Sequence, residues 1–243
     1  YCSFISADVK RSLALVEPYL DGLCAEIDAA GAALARTGRF VRTIYIGGGT
    51  PTTLSAGQLA RLMERISTAL DLSRCTEYTV EAGRPDTITA EKLAVLRDHG
   101  ATRVSVNPQT MEDHVLAAMG RAHTSAQILE AYELVRQSGL EQVNMDLIAG
   151  LPKDTPEGFR RTLDTVAALA PANITVHTLA LKKSAALFQH QENLPSPETV
   201  AGMLEYAWDR LEALGYVPYY LYRQKYMSGS FENVGWCKPG TEN

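Results

Sequence analysis

Short runs of apolar, β-branched residues alternate with longer amphipathic stretches, and this alternation constrains the fold more than any other feature. The runs predicted as strands begin about 25 to 40 residues apart, and they cover 42–46, 77–81, 103–107, 142–147 and 174–179. The stretches between them carry apolar residues at helical spacing, and they cover 18–36, 55–70, 89–99, 125–138 and 155–169. Repeated strand–helix units are typical of a parallel sheet covered by helices. The sequence therefore predicts an α/β protein.

The pattern changes after Leu181. Residues 182–197 form a polar connector that contains proline, 198–214 are an amphipathic helix, and 216–222 are aromatic and strand-like. The last stretch, 224–243, is rich in Gly, Asn and Ser. We interpret this part of the chain as an appended region.

Composition excludes several classes of protein. The 243 residues carry 23 Lys and Arg against 28 Asp and Glu, a net charge of −5, and 46% are hydrophobic, which excludes a disordered chain, collagen or a coiled coil. The pI of about 5.6 argues against a broad nucleic-acid surface, so any anion site must be local. The sequence has no apolar run of about 18 residues and no signal segment. We therefore predict no membrane insertion.

The cysteines, histidines and serines narrow the chemistry further. Cys2, Cys24, Cys75 and Cys237 are too scattered for a secreted disulfide framework, which favours a reducing, cytoplasmic location. Cys24 is predicted to be a small buried residue and Cys75 a loop thiol. The histidines lack zinc-site spacing and no serine lies in a G-x-S-x-G motif, which argues against a zinc enzyme and a serine hydrolase.

Three consecutive glycines follow the first predicted strand. Gly47, Gly48 and Gly49 precede Thr50 and Pro51, and glycine leaves the backbone open to close approach of a ligand. The motif lacks the Gly-Lys-Ser/Thr of a Walker loop and the G-x-G-x-x-G spacing of dinucleotide sites, so phosphate binding is the weaker interpretation. A tight structural turn explains the glycines equally well.

Polar side chains also stand at the ends of the other predicted strands. They are Glu81, Asn107 with Gln109, Asp146, and His177. If the strands form a parallel barrel, these residues gather at its carboxyl end, where barrel enzymes place their active sites. Taken singly, each has a structural explanation: a loop cap, an ion pair, or a core histidine.

The first four residues, taken with the glycine motif and the polar strand ends, indicate a family. It opens with Tyr1-Cys2-Ser3-Phe4, and GGGTP stands at 47–51. The combination resembles the radical S-adenosylmethionine (SAM) enzymes, specifically the oxygen-independent coproporphyrinogen III oxidase family, whose C-x3-C-x2-C motif closes in Y-C-x-F. Cys2 matches the third cysteine. Further matches follow in order: GGGTPT, TVEAGRPD, RVSVNPQT, MGRAHT, DLIAGLPKDTPEGF and VHTLALKK. The stretch 219–240 is most similar to the coproporphyrinogen dehydrogenase branch, HemZ.

The resemblance implies a [4Fe–4S] cluster and SAM as cofactors. Cys2 would ligate one iron, and the cluster would leave its unique iron for the amino and carboxylate groups of SAM. The Gly47, Gly48 and Gly49 backbone would receive the methionine amino group, with Thr50 beside it.

The resemblance also implies roles for residues further along the chain. Arg121 would pair with the methionine carboxylate through its planar guanidinium. The ribose hydroxyls and neighbouring polar atoms would be held by Glu81, Gln109 and Asp146. Tyr1 and Phe4 would lie near adenine, where an aromatic face can stack, although ordinary core packing also accounts for both.

The implied reaction is radical decarboxylation in haem biosynthesis. Reductive cleavage of SAM would give a 5′-deoxyadenosyl radical that takes a β-hydrogen from a propionate of coproporphyrinogen III; loss of carbon dioxide leaves a vinyl group, and two such steps give protoporphyrinogen IX. The partners would be this substrate and an unidentified electron donor. The basic side chains that could meet the substrate carboxylates are Lys182, Lys183, Arg223 and Lys225. A solvated surface explains those four as well.

The implied fold is a partial (β/α)6 TIM-like radical SAM barrel whose first strand is missing. We predict the barrel over 1–182 and the start of a C-terminal accessory region over 183–243. The first two cluster cysteines of the family are also absent, so both ends are expected to be cut. We expect this fragment alone to be inactive.

Two other functions stay open at this point. One is a haem chaperone, because relatives with this barrel bind haem instead of decarboxylating porphyrinogens. The other is a radical SAM methyltransferase or a different tailoring enzyme that acts on another substrate.

Overall fold

A seven-stranded mixed sheet organises the protein. The computed structural model describes residues 9–181 and 194–243, and within them the sheet has the order β1-β2-β3-β4-β5-β7-β6. The strands are β1 (Thr43–Ile46), β2 (Glu77–Glu81), β3 (Arg103–Ser105), β4 (Gln142–Ala149), β5 (Asn173–Thr178), β6 (Val217–Tyr222) and β7 (Asn233–Cys237). β1 to β5 are parallel, whereas β7 pairs antiparallel with both β5 and β6. The predicted α/β class and partial barrel are confirmed.

Helices connect the parallel strands. They are α1 (Val9–Thr37), α2 (Ala56–Ala69), α3 (Ala90–Asp98), α4 (Asp113–Ala118), α5 (Ser125–Gln137), α6 (Pro156–Ala168) and α7 (Pro197–Ala213). Capping boxes begin two of them: Ser55 pairs with Gln58 at α2, and Thr124 pairs with Gln127 at α5. Each box satisfies backbone N–H groups that have no partner inside the helix. These caps fix where the helices leave the loops at the strand ends.

The two faces of the sheet differ in polarity because side chains alternate along each strand. In-register neighbours such as Ile46, Val80 and Val104 form rows on one face, and this face packs against the helices in one continuous hydrophobic core. The rows between them are polar, as in the register of Ser105 with Asn144 and of Asn144 with Asn173. This polar face is the concave side of the half-barrel.

The amino-terminal end of the barrel, its floor, is closed by a buried arginine. Arg103 is 1% exposed, and its guanidinium donates to Asn173 Oδ1, to Asn144 Oδ1 at 3.3 Å and to the Thr241 carbonyl oxygen at 2.8 Å. Asn173 Nδ2 donates to the same carbonyl at 3.0 Å. The segment around Thr241 therefore packs against the floor. The opposite end, formed by the carboxyl ends of β1 to β5, is the mouth.

Several elements differ from the sequence prediction. α1 begins at Val9, so Pro18 lies inside the helix and not in its first turn. The predicted strand at 103–107 ends at Ser105, because the chain then turns toward Gln109. β7 was not predicted, because its strand conformation depends on its pairing with β5 and β6. The predicted domain boundary at residue 182 lies outside the described residues and stays a prediction.

Among the residues that the structure describes, no helix is long and apolar enough to cross a membrane.

Removing the Trp236 side chain should destabilise the protein strongly. Trp236 is 2% exposed on β7 and meets Trp208 of α7 edge to face, with ring centroids 4.9 Å apart. We expect Trp236→Ala to lower the free energy of unfolding by about 3–5 kcal/mol, because it leaves a cavity in the core. The measurement is denaturant unfolding followed by circular dichroism.

Trp208→Ala is the matched control, since Trp208 is 46% exposed. It should cost clearly less than Trp236→Ala. Equal losses for the two variants would show that β7 does not belong to the core of the barrel.

Candidate functional site

The glycine turn at the end of β1 is fitted closely to its neighbours. A Cβ on Gly47 would lie 2.4 Å from a ring carbon of Tyr45, and Gly48 has a φ of +113°, which residues with a side chain rarely adopt. The Gly48 N–H donates to Glu81 Oε2 at 3.2 Å, and the Thr50 hydroxyl donates to the Gly49 carbonyl at 2.6 Å. The turn is thus tied to the end of β2 with its backbone at the mouth.

A buried threonine and a lysine anchor the residues after the glycines. The Thr52 hydroxyl hydrogen bonds to that of Thr87 at 2.6 Å. The Lys92 ammonium donates to the carbonyl oxygens of Thr52 at 2.6 Å and of Thr87 at 3.0 Å. These contacts join the turn after β1 to the turn after β2, so the two loops form one rigid rim.

Glu81, the last residue of β2, has two donors. Its carboxylate accepts from the Tyr45 hydroxyl at 2.5 Å as well as from Gly48. The Tyr45 ring is largely exposed, but its hydroxyl lies among the groups of the concave face. Burial of that hydroxyl, its hydrogen bond to Glu81 and the negative charges of Glu81 and Asp146 raise the pKa of Tyr45 well above its usual value. The phenol therefore stays protonated and donates at neutral pH.

Gln109 and Asp146 come together through the backbone. Gln109 is 6% exposed and has a left-handed φ of +68°. Its N–H donates to the Asp146 carbonyl at 2.9 Å, and its carbonyl accepts from Ile148 N–H at 2.9 Å. The chain after β3 thus continues alongside β4 up to the mouth. The side chain of nearby Asn107 has a buried Oδ1 that accepts no hydrogen bond from the described part of the chain.

Asp146 also faces a histidine and, beyond it, a tyrosine. His177 Nε2 lies 3.6 Å from Asp146 Oδ2, and His177 Nδ1 lies 3.4 Å from the Tyr222 hydroxyl. Asp146 and His177 are both half-buried. A carboxylate, an imidazole and a phenol are therefore aligned across β4, β5 and β6 on the concave face.

Arg121 lies in the turn between α4 and α5. Its N–H donates to the Leu116 carbonyl at 2.9 Å, and its residue is half-buried. Two positions later, His123 is 3% exposed, and neither ring nitrogen has a partner among the described residues. Burial and the positive charge of Arg121 lower the pKa of His123. The imidazole beside Arg121 is therefore neutral at pH 7.

Some predicted site residues cannot be placed. Tyr1, Cys2 and Phe4 lie outside the described residues, as do Lys182 and Lys183. Arg223 and Lys225 are exposed just after β6, and Arg223 pairs with Glu232. The structure brings Gly47, Gly48, Gly49, Thr50, Glu81, Gln109 and Asp146 to the mouth, and the roles assigned to them stay predictions.

Comparison with known proteins identifies the barrel. Residues 1–166 match the model of the radical SAM superfamily. The chain belongs to the radical SAM superfamily. The family assignment confirms the predicted cofactor pair, since the superfamily uses a [4Fe–4S] cluster and S-adenosylmethionine.

Within the superfamily, the chain is similar to proteins of haem metabolism. The chain is 42% identical to the oxygen-independent coproporphyrinogen-III oxidase-like protein HemZ of Bacillus subtilis, over all of this chain and 49% of HemZ. It is 34% identical to the haem chaperone HemW of the same organism, over 88% of this chain and 57% of HemW. The solved structure of coproporphyrinogen III oxidase (HemN) from Escherichia coli superposes with a TM-score of 0.82 at 29% identity, over 99% of this chain and 52% of HemN. The chain spans about half the length of these relatives.

Among the described residues, those at the mouth fit SAM, whereas none form a site for the cluster. The mouth offers glycines that leave room for a ligand, the carboxylates of Glu81 and Asp146, and an unpaired Asn107 oxygen. In contrast, no group of three or more His, Cys, Asp or Glu among the described residues could hold a metal ion. The cysteines in this part of the chain lie away from the mouth, in α1 (Cys24), before β2 (Cys75) and near the floor at the end of β7 (Cys237). Cluster ligation by Cys2 stays a prediction.

The sequence analysis missed three tyrosines of the concave face. Tyr45, Tyr220 and Tyr222 all lie on strands, and period-two alternation places each on the same face as a polar strand-end residue. Tyr45 stands two residues before Gly47, and this spacing was the signal that could have found it.

Gly48→Ala should destabilise the glycine turn, whereas Gly49→Ala should not. Gly48 has a φ of +113°, while a Cβ on Gly49 would meet nothing within 4 Å. We expect Gly48→Ala to lower the free energy of unfolding by about 1–3 kcal/mol, and Gly49→Ala to change it by less than about 0.5 kcal/mol. Denaturant midpoints measure both. A tolerated alanine at 48 would mean that the turn is not held in this conformation.

Proposed function

We propose that the protein is an oxygen-independent coproporphyrinogen III oxidase of the HemZ type, acting in the cytoplasm. It would convert two propionates of coproporphyrinogen III to vinyl groups and give protoporphyrinogen IX. An unidentified electron donor would supply the electron for each SAM cleavage, and an unidentified acceptor would take the electron released as each carbon dioxide leaves. One observation supports this most: a glycine turn, two carboxylates and a buried polar floor share the concave face of a half-barrel that superposes on HemN. The similarity to HemZ extends along the whole chain.

Residues at the mouth would bind and orient SAM. The backbone of Gly47 to Gly49 would take the methionine amino group, with Thr50 holding the turn through its bond to Gly49. Arg121 would bind the methionine carboxylate, and the neutral imidazole of His123 adds no second charge beside it. When bound, SAM and the cluster supply the radical that removes hydrogen from the substrate.

The remaining contacts to SAM would come from both sides of the mouth. Glu81, Gln109 and Asp146 would hold the ribose hydroxyls and neighbouring polar atoms, and Glu81 is kept in place by Tyr45 and Gly48. Tyr1 and Phe4 would stack near adenine, and Cys2 would ligate the cluster. The buried floor around Arg103 would keep water from entering on the opposite side.

A decarboxylation assay tests this function. Full-length, cluster-reconstituted protein is incubated anaerobically with SAM, a reductant and coproporphyrinogen III, and the products are oxidised and separated by chromatography. We expect protoporphyrin, and we expect Cys2→Ala to abolish it, while Cys75→Ala, at a thiol that donates to the Glu77 carbonyl at 3.3 Å, keeps it.

The outcome also separates the alternatives. Haem binding without a vinyl product would overturn the oxidase and favour a haem chaperone, the role that the similarity to HemW supports. Methylated or otherwise altered products from another substrate would favour a tailoring enzyme.

Arg121→Ala should weaken SAM binding sharply. Loss of a charge-assisted partner costs about 1.5–3 kcal/mol, or roughly 10- to 150-fold in Kd. Arg136→Ala, at an exposed arginine in the last turn of α5, removes the same charge elsewhere and should leave the Kd unchanged. Isothermal titration with SAM measures both, and an unaltered Kd for Arg121→Ala would remove this residue from the site.

A further inference from the structure

Four aromatic side chains share the concave face with Asp146. His177 lies beside Asp146, and Tyr222 contacts His177. Tyr45 of β1 and Tyr220 of β6 lie on the same face, at opposite edges of the sheet. Asp146 of β4 and His177 of β5 lie side by side between them.

Tyr220 and Tyr222 form a stacked pair, which we term the tyrosine wall. Their ring centroids are 6.1 Å apart and their planes differ by 14°. Both hydroxyls point toward β5: that of Tyr220 lies 3.3 Å from Thr175 Oγ1, and that of Tyr222 lies 3.4 Å from His177 Nδ1. Each tyrosine is still 37% exposed. Their polar ends are thus held by protein, while ring surface stays open to a ligand.

A glycine on β7 is required for this arrangement. A Cβ on Gly235 would lie 2.0 Å from a ring carbon of Tyr220. Any other residue at 235 would push the ring off β7, since a contact this short cannot form. The Tyr220 ring therefore lies flat across β7 only because the facing residue has no side chain.

Two cations stand at the top of the tyrosine wall. β6 runs in the same direction as β5, because both pair antiparallel with β7, so its carboxyl end lies at the mouth. Arg223 and Lys225 follow that end directly and both are exposed, and Arg223 pairs with Glu232, which a bound carboxylate would have to replace or share. An apolar ring surface below exposed cations is complementary to a ligand whose small aromatic rings carry carboxylates.

We propose that the tyrosine wall binds the pyrrole rings of a cyclic tetrapyrrole, and that Arg223 and Lys225 bind its propionates. This inference rests on the proposed function and deepens it, since it assigns the substrate to β6 and leaves SAM to the β1, β2 and β4 side of the mouth. Asp146 and His177 lie between the two, so the reacting propionate would be held near them.

Binding of coproporphyrin III, the stable oxidised form of the substrate, tests the assignment. Absorbance and fluorescence titrations of the full-length protein give its Kd. Tyr220→Ala and Tyr222→Ala should each raise the Kd about tenfold by removing a stacking face. Tyr222→Phe keeps the ring and loses only the bond to His177, so its Kd should stay within about twofold of wild type.

The dependence of the Kd on salt concentration tests Arg223 and Lys225 separately. Arg223→Gln and Lys225→Met should raise the Kd at low salt and flatten its dependence on ionic strength, because surface charges are screened by salt. Tyr220→Ala should leave that dependence as it is. Tyr19→Ala removes an exposed tyrosine of α1 and serves as the control, with no change expected.

The outcomes distinguish this inference from the proposed function. Wild-type protein that binds no coproporphyrin overturns the tyrosine wall, and the decarboxylation assay then decides the proposed function separately. Wild-type binding that Tyr220→Ala and Tyr222→Ala leave unchanged overturns only the tyrosine wall. Sensitivity of haem binding to the same two variants, with haem bound more tightly than coproporphyrin, supports the wall and overturns the oxidase. SAM affinity, measured in parallel, should be the same in every variant of the wall.

Discussion

Parallel register is the constraint on which the mouth depends. Because β1 to β5 pair in parallel, the carboxyl end of each strand opens onto the same edge, and residues far apart in sequence become neighbours. Glu81 meets the glycine turn across 33 positions, and His177 meets Asp146. A one-residue slip of any strand would exchange its polar and apolar faces. The hydrophobic core on the helical side therefore fixes the geometry of the polar side.

Most strands and helices could be predicted from local sequence pattern. The others form only because they pair or pack with segments that are distant in the sequence. β4 and β5 are apolar runs bounded by turn residues, and such runs are strong strand signals. β7 carries Gly235 in a stretch rich in Gly and Asn, so its sequence favours a turn, and pairing with β5 and β6 overrides that preference. The position of Pro18 inside α1 likewise depends on context, since α1 packs along α2 with Arg61 between Glu17 and Asp21.

The candidate site was predicted where it consists of strand ends and missed where it consists of aromatic rings. Glu81, Asp146 and His177 were expected to converge, because polar residues that end parallel strands share an edge. Tyr220 and Tyr222 gave no such signal, since aromatic residues in a strand are usually core. Their exposure results from the position of β6 at an edge of the sheet that the described residues form, and from the absent side chain at Gly235. Neither condition can be derived from the residues of β6.

The segment around Thr241 covers the amino-terminal end of the barrel in the part of the chain that the structure describes. Thr241 supplies its carbonyl to both Arg103 and Asn173, so this segment is held against the polar residues at the start of β3 and β5. A ligand bound on the concave face would therefore be shielded from solvent at that end of the sheet. A reactive species formed near the floor would then meet solvent only from the sides of the half-barrel that stay open, which lowers the chance that water quenches it.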